Sequence, residues 1–445
     1  MTKPYLSLLS ELTPASLERT WLTAPHPTLP IVATCSSDKT VRIYSLTTFK
    51  LVSTISGGHK RSIRTCAWKP HVTGESVLAT GSFDATVGIW RRWDSHGQVE
   101  GGSAGWALDG NSRSVDGDAT TLNSFEVSET GGDEEEEWRF AVLLDGHDSE
   151  VKSVSWSPSG SLLATCSRDK SIWIWEDLDD GDNNFETVAV MQEHGGDVKT
   201  VAWHPVEECL ASGGYDDTIR LWREDLDDWG QVACIKNHQG TVWFLDWEGT
   251  ETAPRSPGNS DPTSILNQWR EQRALSGPRL ISCSDDRTVR VWRRIPRETF
   301  QPGRNSSTAT GIPSIIRPTG TDETWEQDAV LPHVHELAIY AVAWSRRTGL
   351  VASAGADGRI VVYEERFVAA STAPKAMETE SDTKPSLRTE WTVLAVMDGA
   401  HGIYEINHVA WAKRADRGSV EGESDEDVLV TTADDGSVKV WTLSL

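Results

Sequence analysis

Between Glu150 and Glu176 the chain reads EVKSVSWSPSGSLLATCSRDKSIWIWE. Val151 to Trp156 is rich in β-branched and aromatic residues and predicts a strand. Ser157-Pro-Ser-Gly160 predicts a turn, Leu162 to Ser167 a second strand, Ser167 to Lys170 a second turn, and Ser171 to Trp175 a third strand. The same pattern returns along the whole chain. An Asp stands six residues before Trp or Tyr at Asp38/Tyr44, Asp84/Trp90, Asp169/Trp175, Asp216/Trp222, Asp286/Trp292, Asp357/Tyr363 and Asp435/Trp441. Four residues before each Asp is a hydroxyl: Thr34, Thr80, Thr165, Ser212, Ser282, Ser353 and Thr431. A His stands nine residues before a Trp at His59/Trp68, His147/Trp156, His194/Trp203, His238/Trp247 and His335/Trp344. His401 and Trp411 are one residue further apart, and the first repeat has Trp21 but no His.

A Gly-His, three short strands and this Asp-to-Trp spacing resemble the WD40 repeat, one propeller blade per repeat. Seven repeats predict an all-β, seven-bladed WD40 propeller forming a single domain over residues 1–445. The expected blades are about 14–56, 60–145, 148–192, 195–236, 239–332, 336–398 and 402–445. The last repeat stops at Leu445, before an outer strand forms, while residues 4–12 have no blade of their own. That segment is expected to be the outer strand of the seventh blade, which closes the ring and removes an open edge.

Long disordered insertions on one face are expected at about 92–136, 249–279, 295–324, 368–388 and 414–427. The first, rich in Gly, Ser, Asp and Glu and ending at Glu134–Glu137, cannot bury a core and predicts disorder. With strands a to d running from the centre outward, the insertions fall in c–d connections of blades 2, 5 and 6 and a–b connections of blades 5 and 7. Both types open on one face. The d–a and b–c connections of the other face stay short, and that bare face is where a partner is expected to dock.

Bulk properties narrow the partners. The formal charge of -25 repels phosphate backbones and disfavours nucleic acid. No apolar run is long enough to span a membrane. The N-terminus resembles no secretory leader. The six Cys at 35, 66, 166, 209, 234 and 283 form no C-x-x-C and read as reduced thiols. These features point to the cytoplasm, with the nucleus as a second location, and a closed ring is expected to be a monomer when isolated.

Grouped Asp, His and Ser/Thr suggest a hydrolase, but the set repeats from blade to blade, which suits no single active site. It is expected instead to be a structural hydrogen-bond network tying strands b and c to the next d–a loop. Its members are His59, Thr80, Asp84 and Trp90; His147, Thr165, Asp169 and Trp175; His194, Ser212, Asp216 and Trp222; and His238, Ser282, Asp286 and Trp292. P-loop and H-E-x-x-H motifs are absent, and the one Gly-x-Ser-x-Gly match in letters, Gly101–Gly105, lies in the polar insertion and predicts no strand-to-helix elbow, so no catalytic residue, cofactor or metal ligand is expected. Cys35, Cys166 and Cys283 share one register but lie in non-adjacent blades and read as core thiols. The sequon at Asn305 carries no meaning in a cytosolic protein.

The bare face holds the candidate partner site. The residue before a network Asp projects from the b–c turn; in blades 2 to 4 these are Phe83, Arg168 and Tyr215. Five residues after each His come Arg64, Lys152, Lys199, Trp243 and Tyr340. Four cations and two aromatics therefore gather on blades 2 to 4 of an acidic protein, with Trp243 and Tyr340 beside them. This suits an acidic, aromatic-containing peptide or a terminal carboxylate.

SFDATVGIW (82–90), EVKSVSWSPSGSLLATCSRDKSIWIWE (150–176), DVKTVAWHP (197–205), YDDTIRLWRED-LDDW (215–229), GTVW (240–243), SCSDDRTVRVWR (282–293) and HGIYEINHVAW (401–411) resemble the WD40 component of the cytosolic iron–sulfur protein assembly machinery. The resemblance covers all the repeats and skips the insertions. It implies a non-catalytic adaptor that helps deliver clusters to cytosolic and nuclear apoproteins. It also implies a MIP18-type protein, a HEAT-repeat targeting subunit, an iron-only-hydrogenase-like cluster carrier and apo iron–sulfur client proteins as partners. Many clients of that family end in an acidic residue and a terminal aromatic. Arg168, within SRDK, is where the family motif and the bare-face argument coincide. The alternative is a WD40 peptide-binding adaptor of another complex, a ubiquitin-ligase substrate receptor or a histone-peptide reader. The chain has no room for an F-box, and a histone reader needs an acidic pocket.

Overall fold

The computed structural model describes residues 4–93, 138–181, 183–225, 228–255, 262–296, 323–368, 388–417 and 426–444. Most of the expected 92–136 insertion, with Glu134–Glu137, lies outside them, as do the sequon at Asn305 and the middles of the loops in blades 5 to 7. The described strands form seven four-stranded antiparallel sheets. The innermost, a, strands are Thr20–Pro25, Ile63–Trp68, Val151–Trp156, Val198–Trp203, Val242–Trp247, Ile339–Trp344 and Ile406–Lys413. Each pairs in turn with its b, c and d strand, so the fold is a seven-bladed propeller. In the seventh sheet the outer strand is Tyr5–Glu11, which pairs antiparallel with Val438–Ser444. The two ends of the chain thus share one blade and satisfy each other's backbone groups.

The b strands explain why the blades stack. Leu162–Ser167 and Cys209–Gly214 are buried along their whole length. Both faces of such a strand lie against a neighbouring sheet, so small and apolar residues run along it without a polar, exposed alternate face, and its hydroxyls at Thr165 and Ser212 are hydrogen-bonded. Seven apolar clusters fill the spaces between blades. The Trp that ends most a strands adds a directed link. Its indole N–H donates to a carbonyl of the preceding blade's a strand: Trp68 to Ala24 at 2.8 Å, Trp203 to Ser155 at 3.0 Å, Trp247 to Ala202 at 3.0 Å and Trp411 to Ala343 at 3.1 Å. Trp344 departs from this. Its indole turns to Gly349, and its backbone N–H is taken by the Asp246 carboxylate of blade 5 at 2.7 Å.

One insertion corrects the expectation of disorder. Residues 249–279 include a helix, Pro262–Ser276. Trp269 on this helix is buried edge-on against Phe367 of blade 6, and an apolar anchor of this size lets the segment order. Just after the helix lies Arg279, almost wholly buried. Its guanidinium donates to Glu248 at 2.7 and 3.1 Å, to Glu365 at 2.6 and 2.9 Å and to Asp328 at 2.9 Å. Trp344 and Trp269 lie 5.1 and 5.2 Å from it. The composition reads as loop because one Trp and one Arg carry the order. We predict that Arg279→Met, which strands Glu248 and Glu365 as buried uncompensated charges, destabilises the protein by about 3–5 kcal/mol. Denaturant unfolding of the variant against wild type measures this directly.

Candidate functional site

The repeated polar set forms a relay in each of blades 2 to 7. In blade 4 the Trp222 indole N–H donates to Ser212 Oγ at 2.8 Å, and Ser212 Oγ lies 2.7 Å from His194 Nε2. His194 Nδ1 lies 3.0 Å from the Asp216 carboxylate, which also accepts the Gly195 backbone N–H at 2.8 Å. An ionised carboxylate only accepts, so Nδ1 carries the proton, Nε2 accepts from the hydroxyl, and every member is satisfied. The relay recurs as Trp175–Thr165–His147–Asp169 and Trp292–Ser282–His238–Asp286. In blade 2, His59 reaches Thr80 at 2.8 Å and Thr86 at 3.2 Å, with Asp84 3.4 Å away. The loop held by each relay is the one that enters the same blade, not the next loop as expected, because the His precedes its own a strand. Blade 1 substitutes Ser16, which bonds Ser36 at 2.7 Å and Asp38 at 3.2 Å.

The relays fix the carboxylates electrically. Burial works to raise Asp84, Asp169, Asp216 and Asp286, but hydrogen bonds from the facing His and from Thr or Ser outweigh it. All four sit well below the usual carboxylate range.

The fold also brings the bare-face candidates together by a device the sequence does not announce. Every a–b ladder skips one residue at the same place, the second of strand a. Val151 pairs with Ser167 and Ser153 with Cys166, leaving Lys152 as the extra residue of a β-bulge. A bulge re-aims the side chain it frees. The freed residues are Trp21, Arg64, Lys152, Lys199, Trp243, Tyr340 and Asn407, one from each blade, at the bare-face end of the innermost strand. They ring the mouth of the central channel. Trp21 is a member that the spacing argument missed. Its signal was the position five residues after Ser16, the residue that replaces the absent His.

The ring sets three cations, in blades 2 to 4, beside aromatic faces. Lys152 Nζ lies 4.5 Å from the Phe83 ring centre, and Lys199 Nζ lies 5.2 Å from Trp243 and 5.5 Å from Tyr215. Arg64 lies 5.0 Å over Trp21, and Trp243 meets Tyr340 edge-on at 5.2 Å. Burial, opposed by Glu150 and reinforced by Lys199 and Arg64, pulls Lys152 below its ordinary value. Burial likewise pulls Arg64 down to about 10, still charged at neutral pH. Arg168 stands apart from the ring. It is exposed and shares Glu150 with Lys152 and Arg61, at 3.3, 3.5 and 3.7 Å. Such a crowd of cations around one carboxylate leaves a positive field that an incoming anion relieves.

Below the ring, Phe244 of blade 5 meets His408 of blade 7 edge-on at 4.9 Å, so this contact crosses the channel. The Thr23 backbone N–H points to His408 Nδ1 at 3.4 Å. His408 Nε2, Thr200 Oγ1 and Trp21 Nε1 are buried with no hydrogen-bond partner among the described residues. On the insertion face, a cavity of about 280 Å³ lies against Glu248, Glu364 and Glu365. Those carboxylates are already engaged by Arg279 and Arg255. Cys35, Cys66, Cys166, Cys209 and Cys283 are buried and Cys234 partly so. Among the described residues no group of three or more His, Cys, Asp or Glu is placed to hold a metal ion.

The family model for the WD domain, G-beta repeat, matches residues 20–45, 49–91, 138–176, 185–223, 273–293 and 327–364. Curated relatives match nearly end to end. A protein of Aspergillus flavus named probable cytosolic iron-sulfur protein assembly protein 1 is 70% identical over 442 residues, 98% of each chain. One of the same name from Penicillium rubens is 71% identical over 459 residues, 99% of each chain. One from Aspergillus clavatus is 72% identical over 453 residues, covering 99% of this chain and 98% of its own. The chain belongs to the cytosolic iron-sulfur protein assembly protein 1 family. As a family member it carries the WD40 propeller described above, a fold that fits a non-catalytic protein.

Two measurements check the relays in this family member. Ser212→Ala leaves Trp222 and His194 without their shared partner, which costs about 1–3 kcal/mol in denaturant unfolding. Acid stability gives the second. Network aspartates held low in the fold contribute fully above the unfolded value of 3.8 and lose that contribution as pH falls toward their folded values. Burial pushes His204 and His408 down to about 4 and about 3, so below 6.5 only the unfolded chain gains their protons. Both effects favour unfolding in acid. The thermal midpoint is expected to fall as pH drops below about 6.5 and more steeply below about 4; a profile flat across that range contradicts the scheme.

Proposed function

We propose that this chain is a non-catalytic adaptor of the cytosolic iron–sulfur targeting complex, assisting delivery of clusters to apoproteins in cytoplasm and nucleus. Its relatives are named for cytosolic iron–sulfur protein assembly, and the cluster is cargo carried by other subunits. A MIP18-type protein, a HEAT-repeat targeting subunit and an iron-only-hydrogenase-like carrier are the partners the family resemblance implies. The isolated chain is a monomer.

The observation that carries the reading is the bulge ring. Arg64, Lys152 and Lys199 crowd one channel mouth beside Trp21, Trp243 and Tyr340, with Phe83, Tyr215 and Arg168 around them. Cations serve a carboxylate and aromatic faces serve a ring, the two groups of an acidic tail ending in an aromatic residue. A histone reader requires acids where this ring has cations.

A labelled peptide ending in an acidic residue and Trp, with a free carboxylate, tests the assignment, alone and with the MIP18-type partner present. Arg168→Glu and Lys152→Glu are each expected to weaken binding by about tenfold or more, with unchanged melts, and amidating the terminus has the same effect. The loss is larger at low salt than at high. Binding that survives both charge reversals at both salts moves the client site elsewhere.

A further inference from the structure

The bare face has a second arc of opposite character, on blades 6, 7 and 1. The loop entering each of these blades exposes an apolar side chain next to an acid. Leu17 and Ile403 are 101% and 95% exposed, and Leu337 and Tyr404 about half exposed. Glu18 follows Leu17, Glu336 precedes Leu337 and Glu405 follows Tyr404. Single exposed Leu or Ile residues are ordinary, but four such side chains in three consecutive loops are not scattered.

Neighbouring turns hold these loops firmly in place. The blade 7 turn packs so closely that a Cβ on Gly436 would lie 2.3 Å from the Ser16 carbonyl oxygen and 2.6 Å from that of Glu18. A Cβ on Gly358 of the blade 6 turn would lie 3.2 Å from the Tyr404 carbonyl oxygen. Both glycines have positive φ, so the seats are built for glycine. Turn and loop alternate around the rim from Leu337 through Ile403 to Leu17.

The charge of the arc is acidic. Glu18, Glu336, Asp398, Glu405 and Asp434 face Arg19, Arg359 and Lys439. Each of these cations is already engaged: Arg19 by Asp434, Arg359 by Asp398 at 2.6 Å and Glu336 at 3.0 Å, and Lys439 by the Ala400 carbonyl at 3.0 Å. Glu336 and Asp398 remain largely open to solvent.

We infer that this arc docks a basic amphipathic helix of a partner protein, its aliphatic residues covering Leu17, Leu337 and Ile403 and its Lys and Arg meeting the surrounding acids. Charge complementarity chooses this occupant over an acidic tail, which belongs to the opposite arc. The inference rests on this arc alone and stands apart from the proposed client site.

The probe is a labelled Lys/Leu amphipathic peptide of roughly 15 residues, long enough to form a helix, with its Glu/Leu counterpart as control, offered to the full chain. Saturable binding of the Lys/Leu peptide alone is expected, with slowed amide exchange in residues 14–19, 335–338 and 398–405. Leu17→Ser with Ile403→Ser, and separately Glu18→Lys with Glu405→Lys, are each expected to weaken binding by about tenfold or more. Lys152→Glu is expected not to weaken it. Thermal melts confirm folding, and the single variants replace any pair that fails to fold. Affinity unaffected by both pairs, or protection confined to other residues, overturns the inference. Sedimentation showing self-association that Leu17→Ser with Ile403→Ser abolishes assigns the arc to a second copy and overturns it too.

Discussion

A propeller exists only if its first and last sheets join. Each blade here shares an apolar cluster with a neighbour, and most send an indole N–H into that neighbour's inner strand, so stability passes from blade to blade around the circle. An open circle would expose two sheet faces and an unpaired edge. The pairing of Tyr5–Glu11 with Val438–Ser444 prevents that with a strand from the far end of the chain. It is the contact of longest sequence separation in the fold, and its loop-closure entropy must be overcome before the ring is complete.

Closure makes the bare face a fixed platform, and the relays tighten it. A hydroxyl, an imidazole and a carboxylate repeated in most blades look like catalytic parts when considered singly. Their hydrogen bonds fit a structural role. In blade 4 the Ser212 hydroxyl is spent between Trp222 and His194, and the Asp216 carboxylate between His194 and the Gly195 backbone. Every proton has a partner inside the blade. The groups left over are the ring residues, whose side chains the ladder does not use.

Much of this was legible in the sequence because strand order and turn chemistry repeat. The Asp-to-Trp interval located the c strands, and the missing outer strand of the last repeat predicted the role of residues 4–12. The candidate residues Arg64, Lys152, Lys199, Trp243 and Tyr340 fell in one register because a fixed offset from the His is a fixed place in the blade. Trp21 escaped because blade 1 has Ser16 where the others have His. The helix Pro262–Ser276 escaped because its order comes from Trp269 meeting Phe367, a contact nearly a hundred residues distant and invisible to local pattern. The direction of each relay also escaped: spacing shows which residues share a blade but not which loop they tether.

The bulges separate two jobs that most strand positions must perform together. A residue within a ladder is constrained by the pleat, by its cross-strand neighbour and by the adjoining sheet. Lys152 and its six counterparts are opposed by no residue of the b strand. The ladder therefore leaves their identities open, although Asn407 also donates to the Thr20 carbonyl of blade 1 at 3.0 Å. Trp, Arg, Lys, Tyr and Asn all occupy the same backbone position in successive blades without disturbing it. The mouth of the channel is in this sense an interchangeable fitting on a standard mount, and its recognition properties can be rewritten one side chain at a time while the propeller beneath stays the same.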